Sequence, residues 1–221
     1  NMSYGGYAGL VTKYLEIIEK PNIIEVGIDR GQMLLPLLTY LAKYKENFHL
    51  VGVDILFRHN LRSQLSKIQR HVLSKGQQLT IAEQDSISFL KRVTSNEVFD
   101  IMLIDGDHNY RTVYEELNFC KNLLRNTGII IVDDYDIVSD EYFSEFPEYK
   151  SLNLGTPKEE LFVEGKTGVR QAVNDFLLDN KSSNFKIFKL EMFKDNEPVI
   201  ISKINLDKVW KEVVEITICL L

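Results

Sequence analysis

Two acidic clusters hold residue types that can do chemistry together: Asp105-Gly106-Asp107-His108 and Asp133-Asp134. Each follows an apolar run, Phe99-Asp100-Ile101-Met102-Leu103-Ile104 before the first and Gly128-Ile129-Ile130-Ile131-Val132 before the second. Carboxylates gathered in one small volume repel one another, so they need a cation between them or must keep a proton. The pattern is that of a divalent metal site. Plainer readings stay open: Asp105 as a strand-end cap or a contact to a cofactor amino group, Asp133-Asp134 as a solvated turn, His108 as a hydrogen-bond partner.

For the clusters to meet, the apolar runs must be neighbouring strands. Both runs are continuous rather than alternating, as expected for parallel strands covered on both faces. A helix expected over Tyr110 to Arg125 joins them, and strand ends in such a unit lie about 4.8 Å apart. Upstream, a helix is expected from Tyr7 to Glu19, ended by Pro21. Strands are expected at Asn22 to Gly27, Phe48 to Asp54 and Gln78 to Asp85, with Gly31 opening the second helix. This alternation predicts an α/β, doubly wound, mostly parallel seven-stranded sheet of Rossmann-like type. After a helix from Gly168 to Leu178, the stretches Phe185 to Leu190 and Pro198 to Ile204 read as a C-terminal antiparallel hairpin turning around Lys194-Asp195-Asn196. That ending narrows the fold to its methyltransferase version. A single domain is expected over residues 1–221, with residues 136–167 as a lid or substrate-binding insertion, because that stretch is irregular, aromatic and too long for a passive connector.

The first strand turns into a helix through Glu25-Val26-Gly27-Ile28-Asp29-Arg30-Gly31, at the crossover where such sheets bind nucleotides. The same glycines suit a tight turn with no ligand. A dinucleotide site wants Gly-x-Gly-x-x-Gly so that backbone can approach a pyrophosphate. Here the middle glycine position is Asp29, and its charge disfavours phosphate. S-adenosylmethionine has no phosphate and carries a sulfonium cation, so Glu25 and Asp29 are compatible with it. Asp54 is placed to accept the ribose hydroxyls, or to cap its strand. Asp85-Ser86 is placed at the adenine end, or as the N-cap of a helix from Ile87 to Val93.

The bulk numbers bound the partners. A chain of 221 residues suits one core of ordinary size. A net charge of −6 and a pI near 5.3 argue against nucleic acid as the main partner. Cys120 and Cys219 are too few for a disulfide framework and lack metal spacing, which suits a reducing cytoplasm. No leader or membrane span is expected. The apolar closing stretch Val213 to Leu221 is expected to pack on the body or on a second copy, a homodimer. The Tyr4 to Tyr7 segment, with Gly5-Gly6 inside it, is considered as a flap over the cofactor.

Taken together, Ile24-Glu25-Val26-Gly27 with Gly31, Val53-Asp54, Leu103-Ile104-Asp105-Gly106-Asp107-His108-Asn109-Tyr110 and Val132-Asp133-Asp134-Tyr135 resemble the class I S-adenosylmethionine-dependent methyltransferases. More narrowly they resemble the metal-dependent macrocin O-methyltransferase and cephalosporin-hydroxylase-like group, and Gly168-Val169-Arg170-Gln171-Ala172-Val173 is similar to a later helix of that group. The likeness covers about residues 20 to 135 well. It implies that Asp105, Asp133 and Asp134 hold Mg2+ and that Asp107 is the general base, with His108 as the other candidate. Gln32-Met33 departs from the family pattern, and the insertion has no match in it.

The function expected is methyl transfer from S-adenosylmethionine to a hydroxyl of a small metabolite: a sugar or natural-product diol, or a catechol-like ring. Magnesium favours oxygen ligands and keeps positions open for such a substrate. Two other readings stand beside it. One is a non-catalytic cofactor-binding or assembly subunit, against which the retained carboxylates speak. The weaker other is a dehydrogenase.

Overall fold

The computed structural model describes residues 5–57, 60–94, 98–135, 168–190, 198–206 and 213–216. The expected insertion at residues 136–167, the hairpin turn around Lys194 to Asn196 and the residues before Gly5 lie outside them. Two compact units divide the chain, Asn1–Gly106 and Asp107–Leu221.

The first unit opens with α1 (Gly5–Leu15) and alternates β1 (Asn22–Val26), α2 (Leu34–Tyr44), β2 (Phe48–Asp54), α3 (Leu61–His71), β3 (Gln77–Glu83), α4 (Ser86–Leu90) and β4 (Phe99–Ile104). Its strands are parallel in the order β3-β2-β1-β4. The chain steps outward from β1 to β3 and returns to the other side of β1 for β4, so the order reverses between β1 and β4. Open sheets of this kind bind ligands at such a reversal, outside the carboxyl ends of the strands. Register fixes what stands there. Val26 is level with Val53 and with Ile104, so Gly27, Asp54 and Asp105 leave the sheet at one edge.

Continuous apolar sequence did mark buried strands. All six residues of β4 are buried, and so are Gly128 to Val132 in the second run. Each fully buried branched side chain contributes about 1.5–3 kcal/mol relative to exposure. The polar residue inside the β4 run is spent structurally: Asp100 Oδ2 accepts from the Asn22 backbone N–H at 2.8 Å, satisfying the first donor of β1. The second helix begins at Leu34 rather than Gly31, because Gly31 N–H closes a turn on the Ile28 carbonyl at 2.7 Å.

The second unit carries α5 (Tyr110–Leu123), β5 (Leu124–Val132), α6 (Gly168–Asp179), a 3₁₀ turn (Lys181–Ser183), β6 (Lys186–Leu190), β7 (Val199–Ser202) and β8 (Val213–Ile216). Its strand order is β5-β7-β6-β8, and every pairing in it is antiparallel. The helices α5 and α6 are joined by a ladder of polar contacts. Tyr110 OH donates to Asp175 Oδ2 at 2.7 Å, Tyr114 OH to Asp179 Oδ2 at 2.5 Å, and Lys121 Nζ to Asn180 Oδ1 at 2.7 Å. Tyrosines and acids are each four residues apart, so the rungs repeat once per helical turn.

Parallel strands linked through helices, followed by antiparallel strands at the C-terminal end, make this the mostly parallel, doubly wound, Rossmann-like α/β fold expected. The described residues hold eight strands, one beyond the expected seven. The addition is β8. The start of the apolar closing stretch pairs its backbone with β6 through the register Ile187 to Ile216 and Leu190 to Val213. No helix among the described residues is long and apolar enough to cross a membrane.

Candidate functional site

The loop after β1 is shaped by what its backbone must do. Gly27, Asp29 and Gly31 all have positive φ, at 87°, 45° and 78°. A Cβ on Gly27 would lie 2.0 Å from the Asp105 carbonyl oxygen, so glycine there is required by space as well as by φ. Asp29 indeed holds the middle glycine position of the loop, in a left-handed conformation that Asp tolerates better than most residues. Below it, Gly52 leaves room in β2 for Ile28: a Cβ at Gly52 would come within 2.6 Å of Ile28 Cδ1.

Asp54 ties this loop down. Its Oδ2 accepts from the backbone N–H groups of Ile28 at 2.7 Å and Asp29 at 2.8 Å, and its Oδ1 accepts from Leu56 N–H at 3.0 Å. The strand-end role is thus filled, and because a carboxylate has about four acceptor positions and three are used, one is left over. Glu25 is 2 % exposed, and Glu25 Oε2 makes no hydrogen bond among the described residues. Burial, and then the nearby Asp54 charge, push its carboxyl well above the usual range, so it is held neutral. Asp85 Oδ1 accepts from Ser88 N–H at 2.7 Å, capping α4, of which Ser86 is the first residue.

Sequence reasoning passed over the residues just after Asp54. Ile55 and Leu56 are 45 % and 40 % exposed, and the Phe57 ring lies 5.4 Å from the Arg62 guanidinium, which pairs with Glu83 at the end of β3. Three successive apolar residues directly after a strand-end acid were the available signal.

The second unit holds the other acids and the histidine. His108, 6 % exposed, brings Nε2 to 2.8 Å from Asp134 Oδ2. An imidazole lone pair and a carboxylate oxygen this close repel unless a proton or a cation lies between them. Two ligands at right angles on an ion, each at about 2.1 Å, would stand about 3 Å apart, so the pair suits either occupant. Asp134 has φ 50°, a conformation costing a non-glycine residue about 1–2 kcal/mol. Asp133 Oδ1 accepts from the Asp134 N–H at 2.8 Å.

Asp107 is otherwise engaged. Its Oδ1 accepts from Asn109 N–H at 3.1 Å and from the Asn109 amide, and its Oδ2 accepts from Thr112 Oγ1 at 2.8 Å. These bonds fix the turn into α5. Tyr110 and Tyr135 are both tied to α6 through their hydroxyls. Burial and the Asp175 contact raise the Tyr110 hydroxyl's pKa, and Tyr135, 7 % exposed, donates its OH to Asn174 Oδ1 at 3.0 Å.

Comparison with known proteins bears on this geometry. Residues 24–135, just over half of the chain, match a family model described as a methyltransferase domain. An uncharacterised protein of Acanthamoeba polyphaga mimivirus is 28 % identical over 116 residues, and the chain spans about half the length of that relative, 50 %. Solved structures share the fold at low identity. A TDP-rhamnose 3′-O-methyltransferase from calicheamicin biosynthesis superposes with a TM-score of 0.56 at 14 % identity, over 91 % of this chain and 78 % of that one. The O-methyltransferase TomG from Streptomyces achromogenes, solved with S-adenosylmethionine, gives 0.52 at 14 % over 89 % and 78 %. The MycE methyltransferase of the mycinamycin pathway, solved with Mg, S-adenosylhomocysteine and mycinamycin VI, gives 0.51 at 15 % over 90 % and 48 %.

Proposed function

We propose that this chain, which belongs to the class I S-adenosylmethionine-dependent methyltransferases through its methyltransferase domain, is a magnesium-dependent O-methyltransferase of a small hydroxylated metabolite. A sugar or natural-product diol, or a catechol-like ring, is the acceptor class. The observation that supports this reading is the meeting of His108 Nε2 and Asp134 Oδ2 at 2.8 Å, which sets a candidate base beside a candidate ion ligand. Asp105, Asp133 and Asp134 are the ligands that the family resemblance implies, and within the second unit Asp134 stands beside His108 and donates its own N–H to its neighbour Asp133. With Asp133 adjoining, Asp105 and Asp134 give the oxygen-rich set that a hard divalent ion prefers, which leaves the imidazole for a proton.

Bound there, the ion would polarise the acceptor oxygen, and S-adenosylmethionine would offer an electrophilic methyl group. Gly27, Gly31 and Asp54 form the cofactor cradle, with Glu25, Asp85 and Ser86 around it. His108 Nε2 takes the proton of the acceptor hydroxyl. Asp134 Oδ2, already 2.8 Å away, then faces the imidazolium charge and stabilises it electrostatically. Both Asp107 oxygens are committed to the α5 turn, so of the two candidate bases His108 is favoured. The chain's net charge of −6 fits a small acceptor better than a nucleic acid.

The test is transfer of a labelled methyl group from S-adenosylmethionine to a diol acceptor, with Mg2+ and with chelator, beside calorimetric titration of S-adenosylmethionine and NAD. Magnesium-supported transfer, lost in chelator and restored by Mg2+, is the expected outcome. Undiminished transfer by metal-free protein would end the metal role. Binding of S-adenosylmethionine without transfer to any diol or catechol would favour a non-catalytic subunit.

A further inference from the structure

We infer that Tyr135 is a positioning residue that sets Asp134 against His108 by tying the acidic loop to α6. The inference rests on the site proposed above, yet its geometry lies wholly within the second unit. Asp134 holds a left-handed backbone that persists only where neighbours on both sides fix it. On its N-terminal side the fixing group is Asp133, through the bond to the Asp134 N–H. On its C-terminal side stands Tyr135, buried and held at three points. Its hydroxyl bonds Asn174. Its ring centroid lies 5.5 Å from the Arg170 guanidinium and 5.2 Å from the Lys189 ammonium. Arg170 and Asn174 are four residues apart on α6, hence on one face, so a single helical face grips both the ring and the hydroxyl.

The same helix fixes the other half of the pair. Tyr110 and Tyr114 of α5 bond Asp175 and Asp179 of α6, and α5 begins two residues after His108. A closed mechanical path results, from His108 through α5 to α6 and through Tyr135 back to Asp134. Removing the Tyr135 hydroxyl opens that path at its weakest point without touching His108 or Asp134. Tyr110 and Tyr114 keep the helices together, so the loop loses its reference while the unit keeps its packing.

The experiment compares Tyr135→Phe, Tyr135→Leu and Asn174→Ala in the full chain, with Phe176→Leu as a control that weakens the α6 core. Three readouts are taken: the Mn2+ dissociation constant by electron paramagnetic resonance, the ¹⁵N shifts of the His108 ring in metal-free protein, and the thermal midpoint. Tyr135→Phe and Asn174→Ala should each weaken Mn2+ binding about tenfold and move the His108 ring shifts. Their double variant should be no worse than either alone, since both break one bond. Tyr135→Leu, which also loses both cation contacts, should be worse. Phe176→Leu should lower the midpoint with little change in Mn2+ affinity or ring shifts.

Unchanged Mn2+ affinity and ring shifts in Tyr135→Phe and Tyr135→Leu would overturn the inference. So would equal losses in Phe176→Leu at the same drop in midpoint, because Tyr135 would then be acting through stability alone. A wild-type chain that binds no Mn2+ would remove the metal from the proposed function, and the ring shifts would then decide on Tyr135 by themselves.

Discussion

The loop after β1 and the acidic loops of the second unit use carboxylates in opposite ways. In the first, Asp54 spends both oxygens on main-chain N–H groups, and the cradle is complete in the protein alone. In the second, His108 and Asp134 face each other side chain to side chain, at a distance that asks for something between them. The lesson is a division of labour. A part that must present a fixed shape is built from backbone, where the cost of order is met on folding. A part proposed to respond to an ion or a proton is built instead from side chains that face each other.

The contrast breaks most completely at Gly27. Gly27→Ala places a Cβ 2.0 Å from the Asp105 carbonyl and holds alanine at φ 87°, so the loop cannot keep its path. Overpacking and left-handed strain together should cost about 2–5 kcal/mol, read as a fall in thermal midpoint with S-adenosylmethionine binding lost. Unaltered unfolding and cofactor affinity in this variant would show that the cradle is not rigid.

On the other side of the comparison, Asp134→Asn removes an ion ligand and the partner of the His108 charge at once. Methyl transfer should fall at or beyond the upper end of the about 10²–10⁴-fold range of a general base, with the fold intact by circular dichroism. A loss matched by unfolding would place Asp134 with the structural acids instead.

Asp107 and His108 sharpen the division one step lower. His108→Gln should slow turnover by about 10²–10⁴-fold while leaving S-adenosylmethionine binding alone. Asp107→Asn should cost about 1 kcal/mol of stability at the start of α5, as loss of a cap does, with little effect on turnover. Steady-state kinetics and thermal melts on both variants decide the matter, and a reversed pattern would return the base to Asp107.

The smallest effect belongs to Glu25. Burial holds its carboxyl pKa well above the usual range, while in the unfolded chain it ionises near the ordinary glutamate value of 4.5. Above that value the unfolded state has lost the proton and the native state has kept it. Stability from this group is therefore full below about 4.5 and declines as pH rises towards the folded value. Glu25→Gln cannot ionise, so the stability difference between variant and wild type should move in the variant's favour as pH rises from about 4.5 to 7. Chemical denaturation across that range measures it, and parallel pH curves would mean that Glu25 is charged in the native protein.

How much of this was legible in the sequence differs by level. The buried strands β4 and β5 were readable because each carries an apolar run before its acidic cluster, and runs of that kind leave few other structures open to them. The antiparallel β6 and β7 were readable for a similar reason. β8 was not, because a four-residue stretch with three apolar residues is equally compatible with a strand, a packed tail or an interface. In the site, residue types pointed to the acids, but spacing cannot separate a chemical carboxylate from a capping one. Asp54 and Asp107 both proved to hold backbone or turn, which depends on where N–H groups end up in space. Tyr135 was beyond reach of any local pattern, since its hydroxyl partner Asn174 lies 39 residues away.

The missing side chain at Gly52 has a consequence for anyone rebuilding this protein. Ile28 of the loop occupies the space that any larger residue in β2 would claim. Positions 28 and 52 therefore behave as a matched pair, one protrusion and one vacancy, although the helix α2 separates them in the chain. A loop transplanted from a related sheet will seat only if its residue at the Ile28 position suits that vacancy. Library designs that vary residues 27–31 without position 52 will sample mostly sequences the sheet cannot accept.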